Sequence, residues 1–469
     1  MESAFIRAVS AVLTRELPGY ISLSSCEKLT AGASQETYRL ACVTADGETL
    51  LAMRRTVPTM QAHSSVAEIS PATEAKLLTI ANQAGIPVPQ VNYVLRASDD
   101  LGEGFVMQWL EGETLGQRIT HSDSFAQLRP TLAFACGAQL ARVHAIDWQA
   151  AGLEGLLPRV SPRALIDETW VHYRDLGIPV PMIDYTWRWL QQNLPESSRT
   201  TLVHGDFRNG NLMVTPQGIN AVLDWELAHI GDPVRDIGYL CVNSWRFGKT
   251  ELSVGGFGEI EDLLAGYQSV SGITVARDEV RYWQVFGSFW WAMTTLRMAH
   301  SWRTGENASL ERPVIGRRSS EAQMDCVNLL LPGEFALPPM NDDLADGCQL
   351  PMPAELLESV RGFLQDEVAG GSSHTGFMAR VAANSLGIAQ REMLYGPALA
   401  EAETGRLRVL LGADKDLGTL RRQLVTALRN DMALDSPGLQ EHLRQVVAGQ
   451  LFIDQPRYSA LRQSSNTWL

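Results

Sequence analysis

Two hydrophobic rhythms alternate along the first third of the chain. Phe5, Ile6, Val9, Val12, Leu13 and Leu17 recur at helical spacing and predict a lead-in helix over 5–17. Short apolar runs then predict strands: Leu29 to Leu40, split by Ala31-Gly32-Ala33-Ser34, then Leu50-Leu51-Ala52-Met53-Arg54, and Phe105 to Leu110. Ser70-Pro71 has the chemistry of an N-cap followed by N1, which opens a helix ending at Gly85. From Phe125 onward the helical period dominates. It covers Phe125 to His144, Trp170 to Leu194 with a break at Gly177-Ile178-Pro179, and an aromatic run over 281–303.

One stretch departs from that helical pattern. Leu202 to Glu226 reads LVHGDFRNGNLMVTPQGINAVLDWE, with apolar runs on either side of Thr215-Pro216-Gln217-Gly218. The Pro and Gly suit a tight turn, so Asn211 to Val214 and Ile219 to Leu223 are expected to pair as a hairpin. That hairpin would bring Asn211 and Asp224 to one end. Asp206 precedes Asn211 by five positions, the D-x-x-x-x-N of a kinase catalytic loop.

Phosphoryl transfer explains the residue types. It needs one base near the attacking hydroxyl and cations that neutralise the phosphate oxygens. Asp206 is the candidate base, and Asn211 and Asp224 offer the hard oxygen ligands that Mg²⁺ prefers. His204 and Arg208 flank the base. Asp232, before Pro233, reads as a helix N-cap, and Asp236 as a support for the helix start or for the catalytic loop. Upstream, the turn containing Gly32 and Ser34 could lay backbone N–H groups and a hydroxyl against phosphates. Arg54 ends a strand where a V-A-I-K pattern has lysine, with Arg55 one position away as its rival. Glu74 is its expected partner. Gln108 and Leu110 lie where a strand runs into a connection able to offer backbone groups to adenine.

Composition adds limits. At 469 residues the chain exceeds one ordinary core, and Pro332 to Pro353 is rich in Pro, Gly, Asn and Asp, as linkers are. The expected division is 1–110, 111–335, a linker at 336–353, and an all-helical accessory domain at 354–469. A net charge of −14 argues against a general nucleic-acid binder. Six cysteines without C-x-x-C spacing fit reduced thiols. The absence of a long apolar window and of a signal-peptide pattern leads to the expectation of a cytoplasmic protein without a membrane partner. Residues 281–320 hold six arginines against Glu306 and Glu311, an excess of +4 that points to an anionic ligand.

On Gly32 to Tyr38, Leu51 to Arg54, Glu74, Met107 to Gly112, His204 to Asn211, Asp224 to Glu226 and Gly231 to Gly238, the chain from about 20 to 335 resembles the aminoglycoside phosphotransferase-like kinases. The resemblance implies an α+β, bilobal, protein-kinase-like fold using ATP and Mg²⁺. Arg54 at the strand position, the segment Trp170 to Pro195 and Gly231-Asp232-Pro233 look most like the phosphotransferases associated with acyl-CoA dehydrogenases. These imply a hydroxyacyl-CoA acceptor, with a homo-oligomer or a pathway dehydrogenase as partner. The alternatives are a kinase for an aminoglycoside, choline or a sugar, and a non-catalytic scaffold. The C-terminal region resembles a helical domain of unknown role that accompanies such kinases.

Overall fold

The structure is a computed structural model and describes residues 3–29, 35–56, 69–195, 199–337, 353–370 and 374–462. Gly32, Ser34 and most of the expected linker lie outside the described residues.

Strands β1 (Tyr20–Lys28), β2 (Glu36–Thr44), β3 (Gly47–Thr56), β4 (Val91–Val94) and β5 (Glu103–Gln108) form an antiparallel sheet in the order β1-β2-β3-β5-β4. Helix α1 (Ala4–Glu16) starts where Ser3 Oγ accepts the Ile6 N–H at 3.2 Å. It lays Val9, Val12 and Leu13 on Leu40, Cys42, Leu51, Met53 and Val106. Helix α2 (Pro71–Gln83), capped by Ser70, packs Leu77, Leu78 and Ala81 near Phe105 of the opposite face. Strand parity then separates the two arginines. Arg55 shares the α1 face with Leu51 and Met53, stacks over Phe5 at 4.6 Å and pairs with Glu36 at 2.7 Å. Arg54 points the other way, toward α2 and the second lobe.

The second lobe comprises α3 (Gly116–His121), α4 (Arg129–His144), α5 (Pro162–Asp175), α6 (Pro181–Gln192), β6 (Thr201–Val203), β7 (Leu212–Thr215), β8 (Gly218–Val222), β9 (His229–Gly231), α7 (Val234–Leu240), α8 (Ile260–Ser271), α9 (Arg277–Arg303), α10 (Glu311–Arg317) and α11 (Ser319–Leu330). Strands β7 and β8 make the expected hairpin, and Leu223 N–H donates to Asn211 O at 2.8 Å across its open end. Trp283, Phe286, Phe289 and Trp290 bury the inner side of α9.

Four helices follow: α12 (Pro353–Phe363), α13 (His374–Leu411), α14 (Leu417–Arg429) and α15 (Leu439–Asp454). Helices α13 and α15 are held to their C-terminal turns by packing: Leu407 and Leu451 are fully buried. Helix α14 lies on α6 and α15 on α11, so Leu420, Leu424, Leu443 and Val447 join the hydrophobic core of the second lobe. Polar ties reinforce the junction. Arg429 pairs with the buried Asp184 at 2.7 Å, Arg317 with Asp454 at 3.0 Å, and Arg188 donates to the carbonyls of Leu428 and Met432. Five cysteines among the described residues are free, and no helix there is long and apolar enough to cross a membrane.

Candidate active site

A cavity of about 590 Å³ lies between the lobes. Gln35, Arg54, Glu74, Leu78, Pro89, Phe105 and Met107 line it from the sheet side, and Asp206, Arg208, Asn211 and Asp224 from the catalytic loop and hairpin. Gln108 and Leu110 do not line it. The Gln108 N–H is engaged by Gln90 O at 2.8 Å, and the neighbouring Met107 faces the cavity instead.

Buried groups hold the catalytic loop from beneath. His204 N–H donates to Asp236 Oδ2 at 2.8 Å and Gly205 N–H to Asp236 Oδ1 at 2.9 Å, so Asp236 braces the loop as well as opening α7. Burial alone would raise the Asp236 pKa. The hydrogen bond from His144 and the nearby His144, His204 and Arg235 outweigh it and hold the carboxyl well below its usual range. Arg235 donates to Gly205 O at 2.7 Å from the same helix. Gly205 has φ +86°, and a Cβ there would meet Leu227 O at 2.2 Å, so only glycine fits. His204 accepts the Asp206 N–H on Nδ1 at 3.2 Å and donates from Nε2 to Leu223 O at 3.1 Å. One neutral imidazole thereby ties the loop to the hairpin, and burial pushes its pKa down. Asp232 accepts the Val234 N–H at 2.9 Å, but the N-cap of α7 falls on Pro233, one residue later than expected, because Pro233 already has helical backbone angles.

On the cavity side, Asp206 accepts from Arg208 Nε at 3.0 Å and from Asn211 Nδ2 at 2.5 Å. Burial raises its pKa, and Arg208 opposes that rise. A carboxylate so placed can hold and accept the proton of a hydroxyl. Since Asn211 turns its amide N–H to Asp206, its oxygen is the end left for a cation. Asn209, on the same loop, is fully buried and donates to Gly255 O at 2.8 Å.

Arg54 joins the two sides. It donates to Glu74 at 2.8 Å, Asp224 at 2.5 Å and Glu226 at 2.9 Å. Gln35 donates to Glu74 and Glu226 at 3.4 and 3.3 Å. Asp224 sits at φ +66°, a left-handed conformation that Asp tolerates better than most residues. Among the described residues no group of three or more His, Cys, Asp or Glu is arranged to hold a metal alone. Asp224 and the Asn211 oxygen nevertheless fit Mg²⁺, which takes one or two protein oxygens and completes its shell with phosphates and water.

Glu226, Gln35, Tyr239 and Arg312 also belong to this site, and the sequence reading did not single them out there. Glu226 was signalled only by its place two residues after Asp224. Of the six arginines in 281–320, only Arg312 lines the cavity. Arg281 donates to Leu329 O, Arg317 pairs with Glu392 and Asp454, and Arg318 pairs with Glu321.

A small antiparallel lobe over a helical lobe, with a braced catalytic Asp loop between them, defines a kinase-like phosphotransferase fold. The chain belongs to the phosphotransferase enzyme family, whose profile matches residues 25–273, and a domain of unknown function (DUF6285) matches 369–458. A crystal structure from Ralstonia eutropha, assigned to the aminoglycoside phosphotransferases, shares the fold with a TM-score of 0.54 and 22% identity, covering 68% of this chain and 96% of that one. Mouse acyl-CoA dehydrogenase family member 10 is 35% identical over 181 residues, 36% of this chain and 16% of that protein. Chicken acyl-CoA dehydrogenase family member 11 is 27% identical over 272 residues, 53% of this chain and 32% of that protein. The chain thus spans a third or less of the length of these relatives.

Proposed function

We propose that the protein transfers the γ-phosphoryl group of ATP to the hydroxyl of a small anionic acceptor, with a hydroxyacyl-CoA as first choice. The observation that carries this reading is the placement of Asp206, Asn211, Asp224 and Arg54 on one interlobe cavity. Asp206 orients the acceptor hydroxyl and takes up its proton, while Arg208 and Asn211 fix the carboxylate. Arg54, anchored by Glu74, grips phosphate from the sheet side. When bound through Asn211 and Asp224, Mg²⁺ would neutralise charge on the phosphate oxygens. Relatives named as acyl-CoA dehydrogenases support an acceptor carried on CoA, and a dehydrogenase as pathway partner. A cytoplasmic setting agrees with both.

The metal role has a direct test. At 100 times Kd, Mg-ATP should stabilise the wild-type chain by about 2.7 kcal/mol, and a tenfold weaker site by about 1.4 kcal/mol. Asp224→Asn is expected to show the smaller shift or less. Asn tolerates the φ of +66° nearly as well as Asp, so backbone strain does not confuse the comparison. An unchanged shift would remove Asp224 from the nucleotide site, and no shift in either chain would favour the scaffold alternative.

Acceptor charge is read by Arg312. The residue is 8% exposed and lines the cavity with Trp290, Trp291 and Met298, its backbone N–H donating to Ser309 O at 3.2 Å. A guanidinium on the wall of the interlobe cavity is well placed to pair with a carboxylate or phosphate on the acceptor. In an ADP-release assay over hydroxyacyl-CoA, free hydroxy acid, aminoglycoside, choline and sugar acceptors, the anionic compounds should lead. A charged hydrogen bond is worth about 1.5–3 kcal/mol, so Arg312→Met should raise their KM roughly 10- to 100-fold and leave the KM for ATP alone. A preference for the cationic acceptors would refute the anionic assignment.

A further inference from the structure

Arg208 is held on two sides. Its Nε donates to Asp206 at 3.0 Å, and its guanidinium lies over the Trp245 ring at 4.5 Å. Trp245 leans on Trp291 and Tyr239, with ring centroids 5.2 and 5.6 Å away. It sits on a single 3-10 turn, Asn243–Trp245, too short to fix its own orientation.

The turn is fixed from behind. Asn243 Nδ2 donates to Asp325 Oδ1 at 3.0 Å, and the Tyr458 hydroxyl donates to Asp325 Oδ2 at 2.9 Å. Ser244 Oγ lies 3.4 Å from the same hydroxyl, and Asn328 Nδ2 donates to Ala460 O at 3.1 Å. Tyr458 and Ala460 follow α15, so the end of the C-terminal helical region reaches behind the acceptor wall. Asp325 is 1% exposed on α11, where a carboxylate depends on the donors it meets. Burial pushes its pKa up to about 7, and the bonds from Tyr458 and Asn243 work against that rise.

We infer that the C-terminal helical region completes the acceptor side of the site, with Tyr458 a positioning residue that holds Arg208 against Asp206 through Asp325 and the Asn243–Trp245 turn. The inference rests on the phosphotransferase reading for its consequence in turnover, while the linkage itself is a property of the folded chain. Without the hydroxyl, one oxygen of Asp325 loses its donor. The carboxylate then reorients, the turn loses its fixed register, and Arg208 loses its aromatic platform.

Two readouts on the full-length chain separate the claims. In 5-fluorotryptophan protein, the ¹⁹F signal of Trp245, assigned with Trp245→Phe, should move in Tyr458→Phe in the direction it moves in Arg208→Met. With a hydroxyacyl-CoA acceptor, Tyr458→Phe should lower kcat about 10- to 100-fold, the scale of a small misplacement at a reacting group. The KM for ATP should hold, and the melting temperature should fall only by the small amount that one lost buried hydrogen bond entails, leaving the chain folded at the assay temperature. A stationary Trp245 signal overturns the inference, and so does a loss of activity no larger than the fraction unfolded at the assay temperature. If the signal moves but neither chain turns over any acceptor, the linkage stands and the proposed activity fails.

Discussion

Asp206→Asn is expected to lower kcat by about 10²–10⁴, the range for loss of a positioned proton acceptor. Mg-ATP should still bind. The Asn variant keeps a side-chain oxygen able to accept from Arg208 Nε while removing the basic carboxylate, so it isolates proton transfer better than Ala. Burial raises the Asp206 pKa, and the base form is therefore lost as pH falls through that raised value. The wild-type kcat should fall on an acid limb as Asp206 takes up a proton, and the residual activity of Asp206→Asn should lack it. Wild-type turnover in the variant would remove Asp206 from the chemistry. A shared acid limb would assign it to another group.

The second large effect concerns stability. Asp236 is fully buried and satisfies two backbone N–H groups and His144. Leaving a buried donor unsatisfied costs about 1–3 kcal/mol, and Asp236 serves three of them. Asp236→Ala should therefore lower the unfolding free energy read from urea titration by several kcal/mol, and Asp236→Asn by less, since an amide oxygen can still accept one N–H. The folded-state pKa lies below the unfolded value, so this contribution is present above the unfolded pKa of about 3.9 and is lost as pH falls through the folded one. The wild type should lose stability in strong acid more steeply than Asp236→Asn. Parallel acid profiles would show that His144 and the loop are held by other means.

These expectations rest on a site whose central part is local in sequence. Asp206 and Asn211 lie on one loop, Asn211 and Asp224 at the open end of one hairpin, and turn chemistry suffices to bring them together. Arg54 was legible as a cation but not against Arg55, because Leu50-Leu51-Ala52-Met53 is apolar on both faces and leaves strand parity open. Packing of α1 on Leu51 and Met53 set that parity. Glu226 was missed because its role exists only where Arg54 crosses from the other lobe. Gln108 ends its strand as expected, and what the sequence left open is that its backbone N–H pairs with Gln90 O while Met107 lines the cavity.

The six arginines after residue 280 divide in the same way. Their number was plain in the sequence, yet five do not line the cavity, and only helix placement leaves Arg312 on its wall. The C-terminal region was readable as helices behind a proline-rich break. Its burial against α6 and α11, and the reach of Tyr458 to Asp325, depend on contacts across more than a hundred residues. The sequence by itself determined the lobe order, the catalytic loop and the metal-capable hairpin, since these follow from residue period and short-range turn geometry. Which arginine of β3 faces the interlobe cavity, which of the six later arginines lines it, and what stands behind Asp206 were decided only by tertiary structure, because strand parity and helix docking are settled by the surfaces that exclude water together.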